Sequence, residues 1–391
     1  MSHGHTAEAV ELPFARGELA ERLDNLRAGL AAARLDGGLY FSPEDIFYLT
    51  GYNTPGYYYG FQALVVPTDG SAFLVCRQVE ESNVLARSAV TEHRVFTDVD
   101  DPAEVTVRAL GDTRLLGRPV EIDSDGFGIV PRHHQAISAA LGASAQSPAR
   151  VLHGLRRVKR EVEVACVRRA AAALRAGMDA SVAAVRAGAT EDDVAAACYQ
   201  ALILAGSEYP GMPPMIASGH RAGLGHATWE GHRTIQPGDV VLLEIPGCVK
   251  RYHACQARNV VVGAPSVEYR RRMDAVLEAR AAALDAMRPG TTCAQVDRAL
   301  RRPLEAAGLA DHHLHRAGYG LGIAYPPHWD EGAILSLRAD RHDQLEPNMI
   351  FHLLPAIYFY DETLIACTET VLVTADGHEV LTPYPTGFIE V

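Results

Sequence analysis

QPGDVVLLEIPGCVKRYHACQARNVVVG, residues 236–263, carries two strand signals, Val240–Ile245 and Asn259–Val262, the first entered through Gly238-Asp239. Glu244 closes the apolar run Val240-Val241-Leu242-Leu243, so its carboxylate is expected to be buried and to need a partner. Beyond this stretch, Val267 to Met287 reads as a long helix that stops at Arg288-Pro289-Gly290. Strand-like Ile350–Leu354, Ala356–Tyr360 and Thr370–Val373 follow, the last closed by Ala375-Asp376-Gly377. Ahead of it, Val158 to Ala187 is rich in helix formers and free of proline. The whole predicts an α+β half with a largely antiparallel sheet.

The boundary to what precedes it is placed near Ser147–Val151, which divides the chain into residues 1–150 and 151–391. In the first part a helix over Glu18–Leu35 feeds a strand, GGLYF. Gln62–Pro67 and Ala72–Cys76 flank the turn Thr68-Asp69-Gly70 and read as a hairpin. A helix over Val79–Ser88 and a strand over Pro119–Ile122 complete a small α/β domain.

Bulk composition excludes several classes of function. With 391 residues, 48% hydrophobic and 21% charged, the chain has room for two ordinary cores. Its formal charge of −12 argues against nucleic acid or anionic lipid as partners. Arg168-Arg169 and Arg270 to Arg272 lie in helical sequence and read as solvated faces. Seven scattered cysteines form no CxxC pair, which suits a reducing cytoplasm rather than a disulfide framework. The start, MSHGHTAEAVELPFARGE, has no apolar core behind a basic segment, so neither secretion nor membrane insertion is expected.

Four segments of the second part, in order, resemble the creatinase, aminopeptidase P and methionine aminopeptidase family. They are MIASGHRAGLGHATW (215–229), residues 236–263, AGYGLGIAYPPHW (317–329), and Glu346–Gly377 with EPNMIFHLLPAIY and TETVLVTADG. Phe47–Tyr52 in the first part fits the family's small N-terminal domain. The resemblance implies a pita-bread fold for residues 151–391 behind a creatinase-like α/β domain, and a homodimer in which one subunit's small domain helps to close the other's site. The Gly-flanked loop Tyr57–Tyr59 suits such a lid, a plain surface loop being the alternative.

Metal-dependent relatives bind two divalent ions with a pair of aspartates, a histidine and a pair of glutamates. The corresponding positions here are Glu244, then Cys255 eleven residues on, Tyr319, Leu354 and Thr368. Such a set implies no metal and no cofactor, and points to the metal-free style of creatinase and ectoine hydrolase. LEIPGCVKRYHA, GYGLGIAYPPHW and LEPNMIFHLLP look closest to ectoine hydrolase. Ala366, where ectoine hydrolases carry a glutamate, and the segment Asn53–Tyr59 depart from that pattern and leave the substrate open.

Within this frame His226 stands where creatinase keeps its proton-transfer histidine, and a group titrating near neutrality suits that work. Glu244 is expected to bind, orient or attack a cationic carbon, the alternative being an ion pair with Arg258. Arg258 and Glu369 face substrate or pair with each other across neighbouring strands. His352 and His253 face the cavity or lie hydrogen-bonded in the core. Tyr319 offers its hydroxyl to substrate or fills volume. Trp329, in Tyr325-Pro326-Pro327-His328-Trp329, or Trp229 could stack on a planar cation. His312, His313 and His315 read as a solvated loop rather than a metal site. The expected function is metal-independent cleavage of a C–N bond in a small cationic amidine, guanidine or cyclic amide. A metal-dependent Xaa-Pro peptidase or lyase, and a non-catalytic binding module, are the competing readings.

Overall fold

The computed structural model describes residues 11–58, 60–124, 126–142, 145–146 and 150–391. The first ten residues, Tyr59 of the Tyr57–Tyr59 loop and Ser147–Ala149 at the expected boundary lie outside the described residues. The chain divides into two compact units, Met1–Arg156 and Arg157–Val391.

The first unit is built on a six-stranded mixed sheet, in the order His93–Phe96, Phe73–Arg77, Gln62–Pro67, Gly37–Tyr40, Val120–Ile122, Ala145–Gln146. The expected hairpin forms with Leu64 opposite Leu74 and Val65 opposite Phe73. Its core gathers Leu39, Phe41, Val65, Phe73 and Val75 with Leu110 and Ile137 from two helices. Pro55–Tyr58 is a short 3-10 turn in which the Tyr57 and Tyr58 rings stack at 4.5 Å, with Tyr58 exposed.

The second unit holds a four-stranded sheet, Phe388–Glu390, Tyr252–Val261, Val240–Val249 and Met215–Ser218. A five-stranded sheet runs Ser336–Leu337, Gly318–Gly320, Ile350–Leu353, Glu369–Val373, His378–Val380, and Ala356–Phe359 pairs with Thr363–Ala366 as a separate hairpin. Helices Glu161–Ala184, Glu191–Leu204, Val267–Ala286 and Cys293–Ala306 cover the sheets. Thr190, Ser266 and Thr292 cap the last three by accepting backbone N–H bonds from Asp193, Tyr269 and Gln295. Phe351, Leu353, Val371 and Val373 pack with Val276, Leu300 and Leu304 of two helices into the main core.

Two strands are longer than their sequence signals, for opposite reasons. Val240–Val249 runs on past Ile245 because Pro246 and Gly247 stay paired opposite Cys255 and Ala254, and glycine is needed at 247 since a side chain there would collide with the Ala170 carbonyl of the long helix behind it. Tyr252–Val261 begins seven residues before Asn259, the polar stretch Tyr252–Arg258 masking the strand. Those polar residues are buried because each has a partner. The Tyr252 hydroxyl donates to Glu163 at 2.6 Å, and Gln256 and Arg258 donate to Glu369 at 2.9 and 2.6 Å. Asn259 stitches the separate hairpin on, donating to the Leu364 carbonyl and accepting from Ala366 N–H, both at 2.8 Å.

Candidate active site

In the hairpin of Val240–Val249 with Tyr252–Val261, Glu244 lies opposite Ala257, and Met215 of the next strand lies opposite Glu244. Side chains alternate across a strand, so Leu242, Glu244, Ala257 and Met215 share one face, while Val241, Leu243 and Ile245 are buried on the other. The first face is one wall of a cavity with about 740 Å³ of atom-free space, its open mouth included. Tyr319, Trp329, Leu354, Tyr358 and Thr368 close it from the other elements, and His226, His315, Arg316 and Asp330 bring the polar groups.

Glu244 makes no hydrogen bond or ion pair with any described residue. It is half-buried at the cavity, and the loss of hydration there pushes its carboxyl up to about 7. The Arg258 pairing that sequence allowed goes elsewhere: Arg258 donates to Glu369 at 2.6 Å and to the Thr368 and Pro385 carbonyls. Arg280 donates to the same Glu369 oxygen at 3.0 Å. Arg258 and Glu369 are fully buried and do not line the cavity.

His253 is also buried away from the cavity, with both ring nitrogens taken. Nε2 accepts from Gly211 N–H at 2.9 Å, so Nδ1–H donates to the Arg251 carbonyl at 3.0 Å. Burial and the Arg251 charge hold it neutral, its pKa well below the usual imidazole range. Trp229 packs edge-on against Tyr199 at 5.7 Å and likewise does not line the cavity.

His226 sits exposed on the cavity, with a left-handed backbone at φ 63°, at the tip of a turn where Ala227 N–H donates to the Leu224 carbonyl. Arg221 braces that turn, bonding the Thr228 carbonyl and pairing with Glu191 at 3.2 Å. Tyr319 is held from two sides: Trp329 Nε1–H donates to its hydroxyl at 2.8 Å, and His352 Nδ1 meets it at 2.9 Å. His352 stands behind the cavity wall, bonded on its other nitrogen to the Thr368 hydroxyl at 2.8 Å, and burial pushes it down to about 3.

Three polar groups of the cavity escape the sequence reading. The His312–His315 segment is not a solvated loop: His313 is buried, bonding the Ala356 carbonyl at 2.8 Å, and His312 stacks on Phe359 at 4.1 Å. His315 lines the cavity, and burial, then the neighbouring Arg316 charge, lowers its pKa. Arg316 lies over the Tyr319 ring at 4.6 Å, reaches Asp330 at 3.3 Å, and leaves its buried Nε without a hydrogen-bond partner. Its position just ahead of AGYGLG was the signal available. Asp330, following Trp329, is the third.

At the five inherited ligand positions the donors are Glu244 and the neutral groups of Tyr319 and Thr368, with Leu354 offering none. The Cys255 thiol is pushed well up, by burial and then by the Glu244 charge, so it is not a ready thiolate. Among the described residues no group of three or more His, Cys, Asp or Glu side chains is placed to hold a metal ion. This donor set does not fit a pair of hard divalent cations. No helix among the described residues is long and apolar enough to cross a membrane.

Residues 165–375 match the family "Metallopeptidase family M24", and residues 22–176 match "Creatinase/Prolidase N-terminal domain". The uncharacterized hydrolase/peptidase y4tM of Sinorhizobium fredii is 31% identical over 96% of this chain and 97% of its own length. Ectoine hydrolase of Halomonas elongata is 28% identical over 96% of this chain and 98% of its own length. The crystal structure of dipeptidase PepE from Mycobacterium ulcerans superposes with a TM-score of 0.84 at 28% identity, covering 97% of this chain and 99% of that one.

Proposed function

The chain belongs to metallopeptidase family M24, behind a creatinase/prolidase N-terminal domain, and from that premise we propose a hydrolase that cleaves a C–N bond in a small cationic amidine, guanidine or cyclic amide without a metal. The observation that carries this reading is the Glu244 carboxylate, facing the cavity without a partner among the described residues and pushed up to about 7 by lost hydration. A cationic carbon flanked by nitrogens supplies the missing partner, and the pair holds the carboxylate ionised. Trp329, Tyr358 and Met215 offer flat or polarisable walls to a planar cation. Arg316, with an unfilled Nε–H, is the donor for a carboxylate on the same ligand.

The chemistry follows from these positions. Glu244 orients the cation and stabilises the charge that gathers around its carbon as water attacks. His226, at the mouth, takes a proton from that water. The leaving nitrogen must receive a proton before the bond breaks. The likeness to ectoine hydrolase supports this reading, and the likeness to a dipeptidase supports the peptidase alternative. Against the latter stands the donor set, which lacks the ligands that peptide hydrolysis by two metals requires.

The test is a panel of cyclic amidines, guanidino acids and Xaa-Pro dipeptides, ectoine and creatine included, followed by mass spectrometry with and without chelator. Turnover of an amidine or guanidine that chelator leaves unchanged, and that His226→Ala lowers by about 10²–10⁴-fold, is expected. Hydrolysis confined to dipeptides and restored by added divalent metal would refute the proposal.

A further inference from the structure

Behind the cavity wall the hydrogen bonds close with one proton left over. Trp329 Nε1–H donates to the Tyr319 hydroxyl at 2.8 Å, and Tyr319 meets His352 Nδ1 at 2.9 Å. His352 Nε2 meets the Thr368 hydroxyl at 2.8 Å, and Ala257 N–H donates to the same Thr368 oxygen at 2.7 Å. The two outer members, an indole N–H and a backbone N–H, can only donate. His352 is fully buried with a hydroxyl on each nitrogen and burial disfavours its cation, so it carries one ring proton.

Tyr319, His352 and Thr368 then hold three protons but share only two hydrogen bonds. With the proton on Nδ1, His352 donates to Tyr319, whose oxygen is already filled by Trp329, and the Tyr319 O–H must turn away. Thr368 then donates to Nε2 and keeps a lone pair free. With the proton on Nε2 the roles exchange: the Thr368 O–H turns away, and Tyr319 keeps the free lone pair. Neither hydroxyl has any other hydrogen bond among the described residues, and both line the cavity.

We propose that Tyr319, His352 and Thr368 form a proton relay in the cavity wall, which presents a ligand with one hydroxyl donor and one lone pair and passes a proton between them when His352 changes tautomer. In one passage Tyr319 releases its outward proton to the ligand atom it faces and takes the Nδ1 proton. Nε2 takes the Thr368 hydroxyl proton, and Thr368 takes one from the ligand atom it faces. Each hydroxyl loses one O–H bond and gains one, the imidazole exchanges one N–H for the other, and the relay stays neutral throughout. No buried charge is created, which matters in a wall where an ion would lose its hydration.

This deepens the amidine hydrolase reading, and rests on that reading for the ligand alone. His226 serves the attacking water, while the relay carries the proton of the new hydroxyl on the tetrahedral carbon to the departing nitrogen. Its ligand is therefore the carbon formed when water adds to that cation, which carries an O–H that can give a proton and a nitrogen that can take one.

The test is ¹⁵N NMR of the full chain labelled at histidine, free of ligand at pH 7, with the His352 signal identified by its loss in His352→Gln. In Tyr319→Phe an Nδ1–H would be buried without a partner, so the proton should settle on Nε2; in Thr368→Val it should settle on Nδ1. The same nitrogen protonated in both variants, or an imidazolium in the wild type, overturns the relay. With a substrate from the panel, Tyr319→Phe and Thr368→Val should each lower kcat about 10²-fold or more with little change in KM. His352→Gln, which keeps one donor and one acceptor but cannot pass a proton, should lose as much, and wild-type kcat in that variant also overturns the relay. The tautomer swap in a chain that turns over nothing in the panel supports the relay and sinks only the amidine reading.

Discussion

Glu244 and Glu369 are glutamates on neighbouring sheets of one unit, and the fold treats them in opposite ways. Glu369 is fully buried and fully satisfied: one oxygen accepts from Arg258 at 2.6 Å and Arg280 at 3.0 Å, the other from Gln256 at 2.9 Å and Thr382 at 3.1 Å. Glu244 faces a cavity with no partner and holds its proton up to about 7. A carboxylate with four donors locks strands together, and any ligand would have to break that network to reach it. A carboxylate with none is a cost to the fold that a ligand can relieve. Burial alone therefore does not mark a functional group here; an unfilled partner position does.

The contrast breaks most visibly at Glu369. Glu369→Ala strands Arg258 in the core, and a loss of about 3–5 kcal/mol is expected in urea unfolding. A loss below about 1 kcal/mol would place Glu369 outside the scaffold. Glu244→Gln should do the reverse: turnover falls by about 10²–10³-fold while the chain folds normally. At pH 8 its stability should rise, by about 1–2 kcal/mol once the water admitted by the cavity is allowed for. A destabilised Glu244→Gln protein would mean that Glu244 has a structural partner after all.

The two arginines sharpen the same point with a smaller effect. Arg316, whose Nε is unfilled, should be removable as Arg316→Ala without loss of fold, KM for a carboxylate-bearing substrate rising about 10- to 100-fold. An unchanged KM would leave Arg316 without a ligand role. Smallest is the pH response. An unfolded glutamate ionises well below the folded pKa of about 7, so the folded chain holds a proton that the unfolded chain has released. Wild-type stability should then decline as pH rises toward about 7 and level off above it, and Glu244→Gln should flatten that decline. Acetamidinium should bind more weakly by about tenfold for each pH unit below 7, followed by calorimetry.

Much of the fold is legible because local signals agree with it. The hairpin about Thr68-Asp69-Gly70, the helix stop at Gly290 and the apolar run ending at Glu244 all appear where periodicity and turn chemistry put them. What stays hidden is polar and buried. Tyr252–Arg258 looks like loop because its side chains are hydrophilic, and it is a strand because Glu163 and Glu369 wait on other elements to pair with them.

The same division runs through the site. Position in the motifs that resemble the family was enough to single out His226, Glu244, Tyr319 and Trp329, all of which line one cavity, His226 from a turn and Glu244 and Tyr319 from within strands. It did not tell that Glu369, Arg258 and His253 lie off the cavity, or that Arg316 and His315 line it. Those residues differ in what approaches them from strands and turns far along the chain. Partners of that kind are a property of tertiary packing, because a hydrogen bond is fixed by distance in space and carries no trace in the sequence on either side of it.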